Sequence, residues 1–205
     1  MKVSVSYLKS KFNRKTTILK IENSSADYLH VDLMDGKYVD TKNFTIGEVI
    51  NDLKSVHLPL DIHLMVKNPE KYIEKLGMLN TEFITIHLDS TKNPKKVIEL
   101  IKSIGCRVGV AINPNEDISI LSDYLHDIDL VLIMSVVPGK GGQTFMPHVL
   151  EKVDNLNKKD LLISIDGGVN NETVELIKER DIDIVVSGSY VCSTDNFNDQ
   201  IKLLK

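Results

Sequence analysis

The chain has 205 residues, 42% of them hydrophobic and 26% charged, which suits a globular protein with a substantial core and fits one domain over residues 1–205. Its formal net charge of −4 leaves no basic field for nucleic acid, so an anionic ligand has to be held locally, by backbone amides and helix N-termini. Cys106 and Cys192 are no disulfide framework and suit a reducing, cytoplasmic compartment; no signal-peptide core and no membrane-length apolar run is present.

In chain order, Val3–Ser6 is short and β-prone, and Ser10–Ala26 is polar with Ile18 and Ile21 spaced as a helix face. Tyr28–Leu33 reads as a strand ended by the turn signal Asp35-Gly36, followed by a long polar loop, Lys37–Asn43. Phe44–Ser55 has helical spacing, and Leu58–Met65 is the third strand. Asn68-Pro69 starts a helix, with Asn68 as N-cap, that runs to about Gly77. Strand Glu82–Leu88 precedes a helix over Lys95–Ile104 capped by Asn93-Pro94, and strand Arg107–Ile112 precedes a short helix over Ile118–His126. Strand Leu130–Met134 leads into Pro138-Gly139-Lys140-Gly141-Gly142 and a helix over Pro147–Asn157. Strand Leu161–Asp166 is followed by a helix over Asn171–Arg180, capped by Asn170 or Asn171. Strand Ile182–Ser187, Gly188-Ser189 and a helix over Asn196–Leu204 close the chain.

Eight strand-then-helix units with near-continuous apolar strands point to parallel strands covered on both sides, and so to a (β/α)₈ TIM barrel with its site at the C-terminal strand ends. A doubly wound open sheet would gather its polar residues at one switch point. Here they follow nearly every strand.

Side chains alternate along a strand, so His30, Asp32 and Met34 share one face, as do Asp61, His63 and Met65. The barrel then brings Ser6, His30, Asp32, His63, Asn113, Ser135 and Asp166 to one mouth. Two imidazoles and two carboxylates suit one divalent ion, Zn²⁺, Fe²⁺, Mn²⁺ or Co²⁺. A lone histidine on an apolar strand is more often a hydrogen-bonded core residue. Four such residues at matching strand ends favour the metal.

Asp32 and Asp166 stand on strands that face each other, so a flat substrate between them has a carboxylate on each face. That arrangement suits two-base epimerisation next to a carbonyl, against the plainer possibility that both are ligands only. Glycine loops at Gly139–Gly142, Gly167-Gly168 and Gly188-Ser189 converge on adjacent strand ends, where backbone amides can take a phosphate. Met34, Met65 and Met134 share the mouth-facing parity, as core filling or as substrate contacts. His87 ends the fourth strand and receives no role; His57, His126 and His148 read as surface residues.

The segments His30-Val31-Asp32-Leu33-Met34-Asp35-Gly36, Leu60-Asp61-Ile62-His63-Leu64-Met65, Met134-Ser135-Val136-Val137-Pro138-Gly139-Lys140-Gly141-Gly142-Gln143 and Asp166-Gly167-Gly168-Val169 resemble the ribulose-phosphate 3-epimerase family, in register from about Val3 to Val191. The resemblance implies a metal-dependent barrel interconverting D-ribulose 5-phosphate and D-xylulose 5-phosphate. It implies His30, Asp32, His63 and Asp166 as metal ligands and Asp32 and Asp166 as the acid/base pair. It further implies Ser6, Met34, His63, Met65, Met134, Gly139, Lys140, Gly141, Gly142, Gly167, Gly168, Gly188 and Ser189 as substrate contacts, and a homo-oligomer.

Departures from the family pattern are Val5, Lys9-Ser10-Lys11, a loop after strand two about two residues longer, Val137, and Lys140 in place of a usual phenylalanine. They bear on which ketose phosphate is used; D-allulose 6-phosphate 3-epimerases are closely similar. A barrel that binds a sugar phosphate without turning it over is the rival from another class.

Overall fold

The computed structural model describes residues 1–156 and 160–205. Eight parallel strands close into a barrel in chain order: β1 (Lys2–Ser6), β2 (Tyr28–Met34), β3 (Leu60–Met65), β4 (Thr81–His87), β5 (Arg107–Ile112), β6 (Leu130–Met134), β7 (Leu162–Asp166) and β8 (Ile184–Ser187). The ring is sealed by β1 against β8, with Val3 beside Val185. Each strand expected from the sequence is present, with ends moved by no more than a residue or two.

Outward-facing Leu29, Val31, Leu33, Ile62 and Leu64 join Val49, Val97, Ile101, Ile177 and Ile201 from the helices in one continuous core. Inside the barrel, Tyr28, Phe83, Leu130 and Ile184 plug the N-terminal end, with the Tyr28 and Phe83 rings edge-on at 5.6 Å. The polar residues therefore have only the opposite end of the barrel to occupy.

The helices are α1 (Arg14–Glu22), α2 (Ile46–Leu53), α3 (Glu70–Leu76), α4 (Pro94–Ser103), α5 (Glu151–Asp154), α6 (Thr173–Lys178), α7 (Ser189–Cys192) and α8 (Phe197–Leu204). Helix α2 starts with a capping box, Thr45 with Glu48, and α4 with the Asn93 side chain and Pro94. Glu172 takes the cap position of α6 without a side-chain bond, in place of the expected Asn170 or Asn171, while Asn170 Oδ1 accepts from the amides of Glu172 and Thr173 in the turn that leads in.

Three helical expectations are corrected. Asn68 does not cap α3: it sits at φ 56°, a left-handed conformation that asparagine tolerates, and Pro69 takes the cap position without a side-chain bond. Ile118–His126 yields only a 3₁₀ turn over Ile118–Leu121. The helix expected over Pro147–Asn157 is a 3₁₀ turn, Pro147–Leu150, running into the four-residue α5; its expected end at Asn157 lies outside the described residues. Helix α7, directly after Gly188, has no counterpart in the sequence reading. Among the described residues no helix is long and apolar enough to cross a membrane.

Candidate active site

Strand alternation and register build the site. Asp32 lies beside His63, Met34 beside Met65, Met134 beside Asp166 and Ser6 beside His30. His30 Nε2 is 3.4 Å from Asp32 Oδ1 and 4.0 Å from Asp166 Oδ2. His63 Nδ1 is at the same two distances from the same oxygens, 3.4 and 4.0 Å. One ligand-type atom from each of the four residues lies within 4.8 Å of the other three.

Both of these nitrogens are buried and have no hydrogen-bond partner, which is rare for buried polar atoms. They face carboxylate oxygens at spacings close to the roughly 3.4 Å edge of a tetrahedron with metal bonds of about 2.1 Å. Two neutral nitrogens and two carboxylates form a donor set that fits a borderline divalent cation, so the cluster could hold a metal ion.

The second nitrogen of each imidazole is tied down. His30 Nδ1 meets Asp61 Oδ2 at 2.8 Å, and the same oxygen accepts from Ser4 Oγ at 2.8 Å. His63 Nε2 meets His87 Nε2 at 2.9 Å. Ser6 Oγ donates to Asp32 Oδ2 at 2.8 Å. Fixed outer partners of this kind set the orientation and tautomer of metal-bound histidines.

The two central carboxyls are pushed apart in acidity. Burial raises the Asp166 carboxyl, and the neighbouring Asp32 charge adds to it, pushing it up to about 6. Burial also works against ionised Asp32, but His30 and His63 outweigh it and hold that carboxyl well below the usual range. Burial opposes charge on His30 too, yet Asp61 and Asp32 raise its pKa well above the ordinary histidine value. His87 is driven well below that value by burial and then by His63. One carboxylate kept ionised beside one able to carry a proton is an acid/base pairing.

Above the cluster opens a narrow cleft with an enclosed volume of about 60 Å³. Asp32, Asp166, Ser6, Met34, Met65, Met134, Gly139, Lys140, Gly141, Gly142, Gly167, Gly168, Gly188 and Ser189 all line it. The Asp32 and Asp166 side chains are 7% and 18% exposed and the two histidines 0%, so the carboxylates face the cleft. His63 lies beneath the cleft rather than on its wall. Gly168, at φ +67°, has no room for a side chain: a Cβ there would lie 2.6 Å from Phe145 N and 2.8 Å from Gln143 O.

Two expected mouth residues point elsewhere. Ser135 Oγ donates to the carbonyls of Asp166 and Gly167 and so pins the loop after β7. Asn113 lines a neighbouring depression with Tyr38 and Val39. His57, His126 and His148 are exposed, as expected. The sequence reading left Asp61 and His87 without roles, although both have the strand parity of the cluster. Lys9, one of the departures from the family pattern, lies along Gly141 and Gly142 at the cleft rim.

Fold and site together define a (β/α)₈ enzyme with a His/Asp cluster, able to hold a metal, beneath its mouth. The Ribulose-phosphate 3 epimerase family profile matches residues 2–192. The chain belongs to that family, and its relatives are isomerases acting as epimerases. It is 42% identical to the ribulose-phosphate 3-epimerase of Helicobacter pylori, over 93% of this chain and 90% of the relative. It is 38% identical to that of Bacillus subtilis, over 93% and 92%.

Among solved structures, KGPDC from Streptococcus mutans superposes with a TM-score of 0.72 at 13% identity, covering 99% of this chain and 94% of that one. Phosphoribosyl anthranilate isomerase from Thermococcus kodakaraensis gives 0.68 at 17%, covering 99% and 96%. These two likenesses concern the fold alone.

Proposed function

We propose that the protein is a divalent-metal-dependent 3-epimerase that interconverts D-ribulose 5-phosphate and D-xylulose 5-phosphate. The observation that carries this is the pair of orphaned imidazole nitrogens facing two carboxylates of opposite acidity on the floor of the cleft. Family membership supplies the substrate class.

In this mechanism His30, Asp32, His63 and Asp166 hold the ion. When bound, the ion supplies positive charge that stabilises the anion developing on the substrate oxygens. One aspartate takes the C3 proton, which is acidic because C3 adjoins the carbonyl, and the electron pair passes into an enediolate. The other aspartate delivers a proton to C3 from the opposite face, which inverts that carbon; the reverse reaction exchanges the two roles. Ser6 Oγ, donating to Asp32 Oδ2, keeps that carboxylate aimed. Met34, Met65 and Met134 offer an apolar wall that keeps water from the reacting carbon. The glycine segments 139–142, 167–168 and 188–189, with Lys140, receive the phosphate through backbone amides.

The same reading includes one folded domain over 1–205, a cytoplasmic location and a homo-oligomer. The last follows from the resemblance alone and is checked by sedimentation. The activity is tested by reloading purified protein with Zn²⁺, Mn²⁺, Fe²⁺ or Co²⁺ and following D-ribulose 5-phosphate to D-xylulose 5-phosphate. Binding without turnover would leave a sugar-phosphate-binding barrel in its place.

A further inference from the structure

His63 turns Nδ1 toward Asp32 and Asp166 and Nε2 toward His87. Only one proton fits between the two facing Nε2 atoms. If His87 supplies it, the proton of neutral His63 must sit on Nδ1, aimed at the carboxylates, and no lone pair is left for a cation. If His63 supplies it, the Nδ1 lone pair is free. The choice of donor across this 2.9 Å contact therefore decides whether His63 can ligate at all.

His87 is 1% exposed, and its surroundings hold it still. The Tyr38 ring lies over the imidazole, centroids 4.8 Å apart. Tyr38 Oη donates to Asp89 Oδ1 at 2.8 Å, just past the end of β4. Lys67 Nζ stands 5.0 Å over the Tyr38 ring and donates to the Asp89 carbonyl at 3.1 Å. Tyr38 belongs to the long loop after β2, so that loop covers the residue behind His63, while its Val39 packs against Gly139 of the cleft wall.

The two imidazoles are also held differently. His30 leans on the carboxylate of Asp61, whereas His63 leans on a neutral ring. Asp32, Asp61 and Asp166 already crowd the cluster, so an acceptor without charge fixes His63 and adds no fourth anion.

We infer that His87 is a positioning residue, whose Nε2 accepts from His63 Nε2–H and so presents the His63 Nδ1 lone pair to the cation, and that Tyr38 locks His87 in that role. This rests on the metal site proposed above.

The test compares Zn²⁺ affinity, measured against a chromophoric chelator, and the visible spectrum of the Co²⁺-loaded protein across a set of variants. Circular dichroism of the metal-free proteins checks the fold. His87→Leu removes the acceptor and should weaken binding by about 10–100-fold, the usual effect of losing an outer partner, with an altered Co²⁺ spectrum. His87→Gln, which restores an accepting oxygen, should recover most of the affinity. His87→Phe, which keeps a ring under Tyr38, should not, and it replaces the leucine variant if that one misfolds. Tyr38→Phe should bind like wild type and Tyr38→Ala more weakly.

Wild-type affinity and spectrum in both His87→Leu and His87→Phe would overturn the role of His87. Equal losses in His87→Gln and His87→Leu would reduce that role to packing. Unchanged binding in Tyr38→Ala would remove Tyr38 from it. Failure of wild type to bind the ion would instead overturn the metal site itself.

Discussion

Replacing Asp166 with asparagine keeps the size of the side chain and an oxygen in reach of the cluster, and removes the ability to carry a proton. Asp166 Oδ2 is 4.0 Å from both cluster nitrogens, so the variant should still take up the ion. The nearby groups offer no substitute on that side. Asp61 is buried behind His30, and both imidazoles point their free nitrogens into the cluster. Loss of a positioned acid/base costs about 10²–10⁴ in rate, equal to roughly 3–5 kcal/mol of barrier. With no understudy, the loss in kcat should lie at or beyond the upper end.

The informative assay runs the reaction in D₂O. Wild type should place deuterium at C3 of both epimers. Asp166→Asn should exchange the C3 proton of only one epimer, through Asp32, without inverting it; Asp32→Asn should show the complementary selectivity. Deuterium at C3 of both epimers in either single variant, or residual epimerisation there within tenfold of wild type, would refute the two-base arrangement.

Metal affinity should rise with pH. Asp61 and Asp32 outweigh burial and raise the pKa of His30, and burial with the Asp32 charge pushes the Asp166 carboxyl up to about 6. Protons therefore compete with the ion up to and above those values, and ligands must shed them to bind. Zn²⁺ dissociation constants that stay flat between pH 5 and 8 would contradict this. Gly168→Ala forces a side chain into a left-handed position, which costs roughly 1–2 kcal/mol, and drives its Cβ against backbone atoms of Phe145 and Gln143. Urea denaturation should show a total loss above about 2 kcal/mol, and KM for the phosphorylated sugar should rise. A midpoint equal to wild type would mean that the loop accommodates the change. Chelator treatment should abolish turnover and return of the ion should restore it; full activity in demonstrably metal-free protein would remove the ion from the mechanism.

The barrel was legible because parallel strands buried on both faces are nearly continuous apolar runs, and Leu130–Met134, with the stretch from Val108 to Ile112, announce themselves in that way. The cluster was legible because strand parity alone puts His30 with Asp32 and Asp61 with His63. What parity cannot give is distance across the ring or the atom through which a side chain bonds. Ser135 shows the limit: its hydroxyl satisfies backbone carbonyls of the loop after β7, a demand that no strand pattern reveals. His87 was passed over because its meaning lies in its contact with His63, set by pairing β3 to β4. Asn68 misled because an asparagine before Pro69 suits both a helix cap and a left-handed turn, and local backbone geometry chose the turn.

The reaction proposed for the His30, Asp32, His63 and Asp166 cluster is C3 epimerisation of a five-carbon ketose phosphate. The most direct measurement compares kcat/KM for D-ribulose 5-phosphate and D-allulose 6-phosphate on protein reloaded with a single divalent metal. A large advantage for the five-carbon sugar is the predicted result. Preference for the six-carbon sugar would make the long loop after β2 a determinant of substrate choice and contradict the assignment, and turnover of neither would contradict the enzymatic reading altogether.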